Sequence, residues 1–440
     1  MRAENTVKLQ HDVMKLAPID EPICAIVKAP PSKSYTHRAL IVSALADGES
    51  LITNPLLAED TQLTLQALKD LGVVIENEGT GIKVKGTNGK LTAHRKEIML
   101  NNSGTSFRLL LSVASLATDE VILTGNNLLC QRPILDLVEA LNNLGVKCRY
   151  LRKNGFPPVA VKSRLKGGFT SIRSDKSSQY LSSILLCSPY ALTDVTIESS
   201  TKIRSKPYVT LTLDVMEKFG VTPIIHEETY TISTEEVYTA RNYAIEGDYS
   251  SASYFFAIAA VLGGQITVKG LNPNSKQADR IFLNFLEKMG CKITYHEDAV
   301  TVQRSLDEPM KGIDVDLSNS PDIVQTLAVV AAFASTPTSI RNISHLKYKE
   351  INRLTSTAKE LEKIGSEVDI TNEDMKINPI CLPRQAIIET YNDHRMAMAF
   401  SIAALKLPKI MIKNPICVQK SFPTFFQILH QLYNQREEAK

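Results

Sequence analysis

The chain has 440 residues, of which 43% are hydrophobic and 22% charged, and its formal net charge is +3. That length exceeds what a single core usually supports and predicts two domains, and the composition excludes a disordered or low-complexity chain. So small a net charge excludes the broad basic face of a nucleic-acid or membrane-surface binder, which leaves anion recognition to local clusters of Lys and Arg.

The first sixteen residues, MRAENTVKLQHDVMKL, carry acids and lack the apolar core of a secretory signal. No apolar run approaches the ~20 residues of a membrane span. The cysteines, Cys24, Cys130, Cys148, Cys187, Cys291, Cys381 and Cys417, are scattered, with no C-x-x-C pair and no zinc-finger spacing. These features predict a cytoplasmic protein with reduced thiols.

In chain order, a strand before Ala29 comes first and is assigned to the second domain. The polar cluster PPSKSYTHR then opens ALIVSALA, the strand SLITN follows, and an amphipathic helix ends at Gly72 in ALKDLG before the β-rich VVIE. The same order returns as NNSGTSFR, LLLSVASLA, EVILTG and ALNNLG at Gly145, and again as SDKSSQY, LSSILLC, DVTIES and VMEKFG at Gly220. A fourth copy reads GDYSSAS, FFAIAAV, QITVKG and FLEKMG at Gly290; a fifth reads SNSPDIVQ, TLAVVAAFA, TSIRNI and ELEKIG at Gly365. The sixth begins with TYNDHR, MAFSIAAL and KIMIKN and runs out at ILHQLYNQ.

Successive glycines lie 73, 75, 70 and 75 residues apart by subtraction, and each stands where a helix C-cap needs a left-handed residue. A helix that is apolar on every side is a buried one, so each unit has one buried and one surface helix among its strands. The fold class is therefore α/β, with helices alternating with strands in six similar repeats. Three repeats make a first domain over residues 29–245, three make a second over 1–28 and 246–440, and the chain passes between them near NYAIEGDYS.

What stands before each buried helix carries the functional signal. Ser, Thr, Asp and Asn cap helices, but Lys, Arg and Gln exceed that need. Helix N-termini attract anions, and the basic residues Lys33, Arg38, Arg132, Lys349, Arg353, Arg395 and Lys420 predict a ligand carrying phosphate and carboxylate in an interdomain cleft. A P-loop at SKS is excluded, because Pro30 and Pro31 precede it in place of a Gly-rich loop.

The ordered motifs PSKSYTHRAL, NSGTSFR, QRPILDL, SSQY, SKPY, GDYSSASY, PDIVQTL, KYKEINRL, NDHRMAM and KSFPTFF span nearly the whole chain. In them the chain resembles the 5-enolpyruvylshikimate-3-phosphate synthases, and the resemblance implies their two-domain enolpyruvyl transferase fold of six βαβαββ-type repeats, three in each domain. The resemblance implies transfer of the enolpyruvyl group of phosphoenolpyruvate to shikimate 3-phosphate by addition and elimination, without a cofactor or metal. It implies small-molecule substrates only, no nucleic acid or membrane, a monomer, and competition by glyphosate where Gly104 leaves room. By the same resemblance Asp322 is the base for the substrate hydroxyl, and Glu350 the group that protonates the methylene carbon, with Lys33 assisting. Lys33, Ser34, Arg38, Ser177, Ser178, Gln179, Ser205, Tyr208, Asp322, His345 and Lys349 are implied for shikimate 3-phosphate. Lys33, Gly104, Arg132, Gln179, Arg353, Arg395 and Lys420 are implied for phosphoenolpyruvate.

Some positions depart from the family pattern. KEINR places Ile351 and Asn352 where a hydroxyl and a carboxylate are usual, and His345 stands where some members have Asn. The rival reading within this fold is the sister transferase acting on UDP-N-acetylglucosamine. That relative has a Cys five residues before the loop Arg, whereas Cys130 lies two before Arg132. A non-catalytic metabolite binder is the other alternative, and the presence of Lys33, Asp322, Glu350 and Lys420 argues against it.

Overall fold

The computed structural model describes residues 7–10 and 12–438. The expectation for the first sixteen residues therefore falls partly outside the described residues. Two compact units are present, one formed by the chain up to Pro30 together with Gly247 onward, the other by Pro31–Glu246. Each has its own apolar core.

Among the described residues, six four-stranded sheets share one topology, a parallel pair extended by an antiparallel hairpin. Glu97–Met99 and Val121–Thr124, for example, run parallel on either side of the helix Gly104–Val113, and Val159–Lys162 and Lys147–Tyr150 complete the sheet. The six apolar segments are all helical, over Lys33–Leu45, Gly104–Val113, Gln179–Cys187, Tyr249–Leu262, Val324–Ala332 and His394–Lys406. Every residue of Tyr249–Leu262 is buried, as a helix with no polar face requires.

The five glycines end the surface helices through one device. In each, the Gly N–H and the N–H after it turn back to carbonyls of the last helical turn: Gly72 to Lys69 and Val73 to Leu68 in the first copy, Gly290 to Glu287 and Cys291 to Leu286 in the fourth. This is the Schellman arrangement, and it requires the positive φ that Gly72, Gly145, Gly220, Gly290 and Gly365 all show.

Two places depart from simple succession. Strand Ile23–Lys28 pairs with Gly264–Lys269, while Asn242–Ala244 pairs with Glu49–Thr53. Each leading strand thus joins the sheet of a unit other than that of the helix following it in the chain. The sixth sheet obtains its hairpin from the start of the chain, where Val7–Gln10 and Val13–Leu16 pair, and the latter strand adds to Ile410–Lys413. The last copy runs out at its helix for that reason.

Candidate active site

In the unit Pro31–Glu246 the Lys33 helix starts at Ser32, whose hydroxyl accepts from the Tyr35 amide. Lys33 Nζ lies 3.2 Å from Oδ2 of Asp60, at the start of the helix Glu59–Asp70. One turn beyond Lys33, Arg38 is buried. Its Nε donates to Thr212 Oγ1 at 2.8 Å, Nη1 to the Ser34 carbonyl at 3.0 Å and Nη2 to the Tyr208 carbonyl at 2.9 Å. Burial pushes this guanidinium down to about 10, and two of its five N–H groups stand outside these three bonds. Ser34, Arg38 and Tyr208 are thereby joined.

A second constellation gathers around Gly104. Asn102 Oδ1 accepts from Arg132 Nη2 at 2.8 Å, and a Cβ at Gly104 would lie 2.5 Å from Arg132 Nη1. The bare backbone thus lets the guanidinium lie against the helix start. Gln179, at the first turn of Gln179–Cys187, accepts from Arg108 Nη1 at 2.9 Å and donates to Thr105 Oγ1 at 3.0 Å. The Gln179 amide donates to Ser177 Oγ at 3.3 Å, so both ends of the side chain and the backbone are oriented. Ser178 is the N-cap residue of that helix. Ser205, buried and left-handed at φ 58°, precedes the helix that carries Tyr208.

The other unit holds a charge cluster at the starts of two helices. Arg353, 1% exposed, donates through Nε to Asp393 Oδ2 at 2.8 Å, through Nη1 to Asp322 Oδ1 at 3.1 Å and through Nη2 to Glu350 Oε2 at 2.7 Å. Burial alone would push this guanidinium down, but the carboxylates of Asp393, Glu350 and Asp322 outweigh it and push it up. Arg395 Nη2 donates to Asp322 Oδ2 at 2.8 Å, and its Nη1 to the Asp322 carbonyl at 3.2 Å and the Tyr254 hydroxyl at 3.3 Å. Burial raises Tyr254 to about 12, tempered by Arg395. Asp393 also caps the His394 helix, accepting from the Arg395 amide at 2.9 Å.

Asp322 and Glu350, with side chains 18% and 12% exposed, are thus brought together by the Arg353 guanidinium, and Arg395 holds Asp322 as well. Such a group can bind an anion and carry protons at one place. His345 is buried in the short turn Ser344–Tyr348, Lys349 directly precedes Glu350, and Lys420 is buried at the end of the turn Pro415–Lys420. The departure at Asn352 preserves local support, because its Oδ1 accepts from the Thr355 amide and caps the Arg353 helix. Ile351 packs against the core.

Sequence reasoning missed Asp60, Asn102, Arg108 and Asp393 as partners of the named residues. Asn102, Arg108 and Asp393 stood inside NNSGTSFR and TYNDHR; Asn102 and Asp393 are of types that cap helices, as Asp393 does, and nothing local shows which side chain Arg108 meets. Asp60 lies in a surface helix with no such cluster before it, and no local signal marks it. Among the described residues, no helix is long and apolar enough to cross a membrane.

The sequence model of the family described as EPSP synthase (3-phosphoshikimate 1-carboxyvinyltransferase) matches residues 19–429. A 3-phosphoshikimate 1-carboxyvinyltransferase of Methanosphaerula palustris is 46% identical over 413 residues, covering 93% of this chain and 96% of the relative. One of Mannheimia haemolytica is 41% identical over 418 residues, covering 92% and 96%. Among solved structures, EPSP synthase from Acinetobacter baumannii superposes with a TM-score of 0.80 at 25% identity, over 95% of this chain and 97% of that one. The enolpyruvyl transferase NikO from Streptomyces tendae, at 17% identity, shares the fold with a TM-score of 0.73 over 96% and 97% of the two chains. With nearly the full length matched by the family model and by relatives above 40% identity, the chain belongs to the EPSP synthase (3-phosphoshikimate 1-carboxyvinyltransferase) family.

Proposed function

We infer that the chain transfers the enolpyruvyl group of phosphoenolpyruvate to the 5-hydroxyl of shikimate 3-phosphate and releases phosphate, a step of aromatic amino-acid biosynthesis. The observation that carries this reading is the placement of Asp322 and Glu350, both held by Arg353, with Arg395 on the other side of Asp322. The reaction needs a base for the hydroxyl, an acid for the methylene carbon and fixed cations for the carboxylate and phosphate. That cluster contains each kind of group.

In the addition step, Asp322 takes the proton of the 5-hydroxyl, its oxygen bonds to C2 of phosphoenolpyruvate, and Glu350 delivers a proton to C3 with Lys33 assisting. In the elimination step a C3 proton returns to Glu350 as the bond from C2 to the phosphate oxygen breaks, and the proton taken up by Asp322 leaves with the released phosphate. Fixed guanidinium groups stabilise charge that develops between these steps without having to reorganise. Arg132, Arg353, Arg395, Lys420 and Gln179 are assigned to phosphoenolpyruvate, with Gly104 leaving room for it. Ser34, Arg38, Ser177, Ser178, Ser205, Tyr208, His345 and Lys349 are assigned to shikimate 3-phosphate, and Lys33 and Gln179 to both substrates. We place the protein in the cytoplasm as a monomer, a compartment supported by seven cysteines free of disulfides.

The test is the pair Asp322→Asn and Glu350→Gln. Each is expected to lower kcat by at least about a hundredfold, within the range set by loss of acid–base catalysis, while calorimetry still shows shikimate 3-phosphate binding. Near-normal turnover in either variant removes that residue from the proton-transfer assignment.

A further inference from the structure

Asp279 lies in the turn Ala278–Arg280 and has no role in the reading above. It is 3% exposed. Its Oδ2 accepts from the Ser250 hydroxyl, and its Oδ1 has no hydrogen-bond partner among the described residues. A buried carboxylate normally needs several donors to offset the loss of water. A single hydroxyl falls short of that.

The turn is tied on one side to the loop that carries Asp322 and on the other to the start of the helix that carries Ser250. Ser320, two residues before Asp322, donates from Oγ to the Ala278 carbonyl at 3.2 Å. On the other side, Gln277 accepts from the Tyr249 amide at 3.0 Å and donates to the Gly247 carbonyl at 2.7 Å, which fixes the start of the helix carrying Ser250.

We propose that Asp279 is a positioning residue for Asp322 and Arg395, working as an uncharged carboxylic acid that leaves the Arg395 guanidinium to Asp322. The inference rests on the assignment of proton transfer to Asp322. An ionised Asp279 sets a buried negative charge against Asp322 and draws on the positive charge of the same Arg395 guanidinium. The groups facing it agree with this. Burial is the largest influence and pushes Asp279 up to about 7; Asp322 and Asp248 add to the rise, and Ser250 and Arg395 oppose it.

The pH window follows from that direction. Between the ordinary value of 3.8 and about 7 the folded chain holds a proton that the unfolded chain has lost. Stability contributed by this group is therefore full below the ordinary value and is lost as pH rises toward neutrality. Asp279→Asn removes the titration while keeping the shape of the neutral acid.

The experiment measures kcat/KM for phosphoenolpyruvate and the melting temperature of wild type, Asp279→Asn and Asp279→Ala from pH 5 to 8. The Asn variant is expected within about threefold of wild type at pH 6 and without the decline of wild type above about pH 7. Its melting temperature gains at least ~2 °C on wild type between pH 5 and 8, and Asp279→Ala loses about tenfold in kcat/KM. An Asn variant more than about tenfold slower at pH 6, an alkaline decline equal to wild type, or a melting difference independent of pH overturns the proposal. Absence of turnover in the unsubstituted chain overturns the activity reading instead, and the melting series still decides the protonation of Asp279.

Discussion

At Arg353 one guanidinium serves three carboxylates, those of Asp393, Asp322 and Glu350. Three carboxylates from separate segments thus gather around one buried cation, which offsets their mutual repulsion. Gly104 poses the complementary question, whether a missing side chain matters. A Cβ there would lie 2.5 Å from Arg132 Nη1, so Gly104→Ala must displace that guanidinium. Displacing a side chain from its rotamer costs ~0.5–1.5 kcal/mol. Steady-state kinetics are expected to show KM for phosphoenolpyruvate raised about two- to tenfold, with shikimate 3-phosphate binding unchanged. An unchanged KM would separate Arg132 from the phosphoenolpyruvate site. The sequence motifs marked Arg132, Arg353 and Arg395, but the companions Asp60 and Arg108 emerge only when helices distant in the chain meet. Lys33 and Asp60 are 27 residues apart, and Arg108 and Gln179 are 71.

At the scale of elements, the repeat was legible because each of its parts has a local physical cause. All-apolar segments must be buried, and a Gly after an amphipathic helix supplies the left-handed cap. The shared cap allows its conformational cost to be separated from packing. Gly290 has φ +109° and open space where a Cβ would go, whereas at Gly72, with φ +91°, a Cβ would lie 2.4 Å from the Thr92 carbonyl oxygen. Gly290→Ala should destabilise by about 1–2 kcal/mol, the cost of a left-handed non-glycine residue. Gly72→Ala should exceed it by at least ~1 kcal/mol, as overpacking does. Denaturant unfolding of the two variants checks this. Equal losses would mean that the Thr92 segment yields freely.

At the scale of the whole chain, less was legible. Nothing in VKLQ or VMKL states that these strands complete a sheet with Ile410–Lys413, nearly four hundred residues away. Periodicity encodes the local element, and pairing over such separations is decided by which sheet edges remain open after the local units form. The exchange of Ile23–Lys28 and Asn242–Ala244 between sheets has the same origin. Function was legible at this scale because the motifs keep their order across nearly all of the chain, and the family match over residues 19–429 rests on that order.

The most direct test is phosphate release by purified protein given phosphoenolpyruvate alone, with shikimate 3-phosphate, and with UDP-N-acetylglucosamine. Release that requires shikimate 3-phosphate, with the acceptor gaining an enolpyruvyl group by mass spectrometry, is the predicted result. Release only with the sugar nucleotide, or no release with either acceptor, would contradict it.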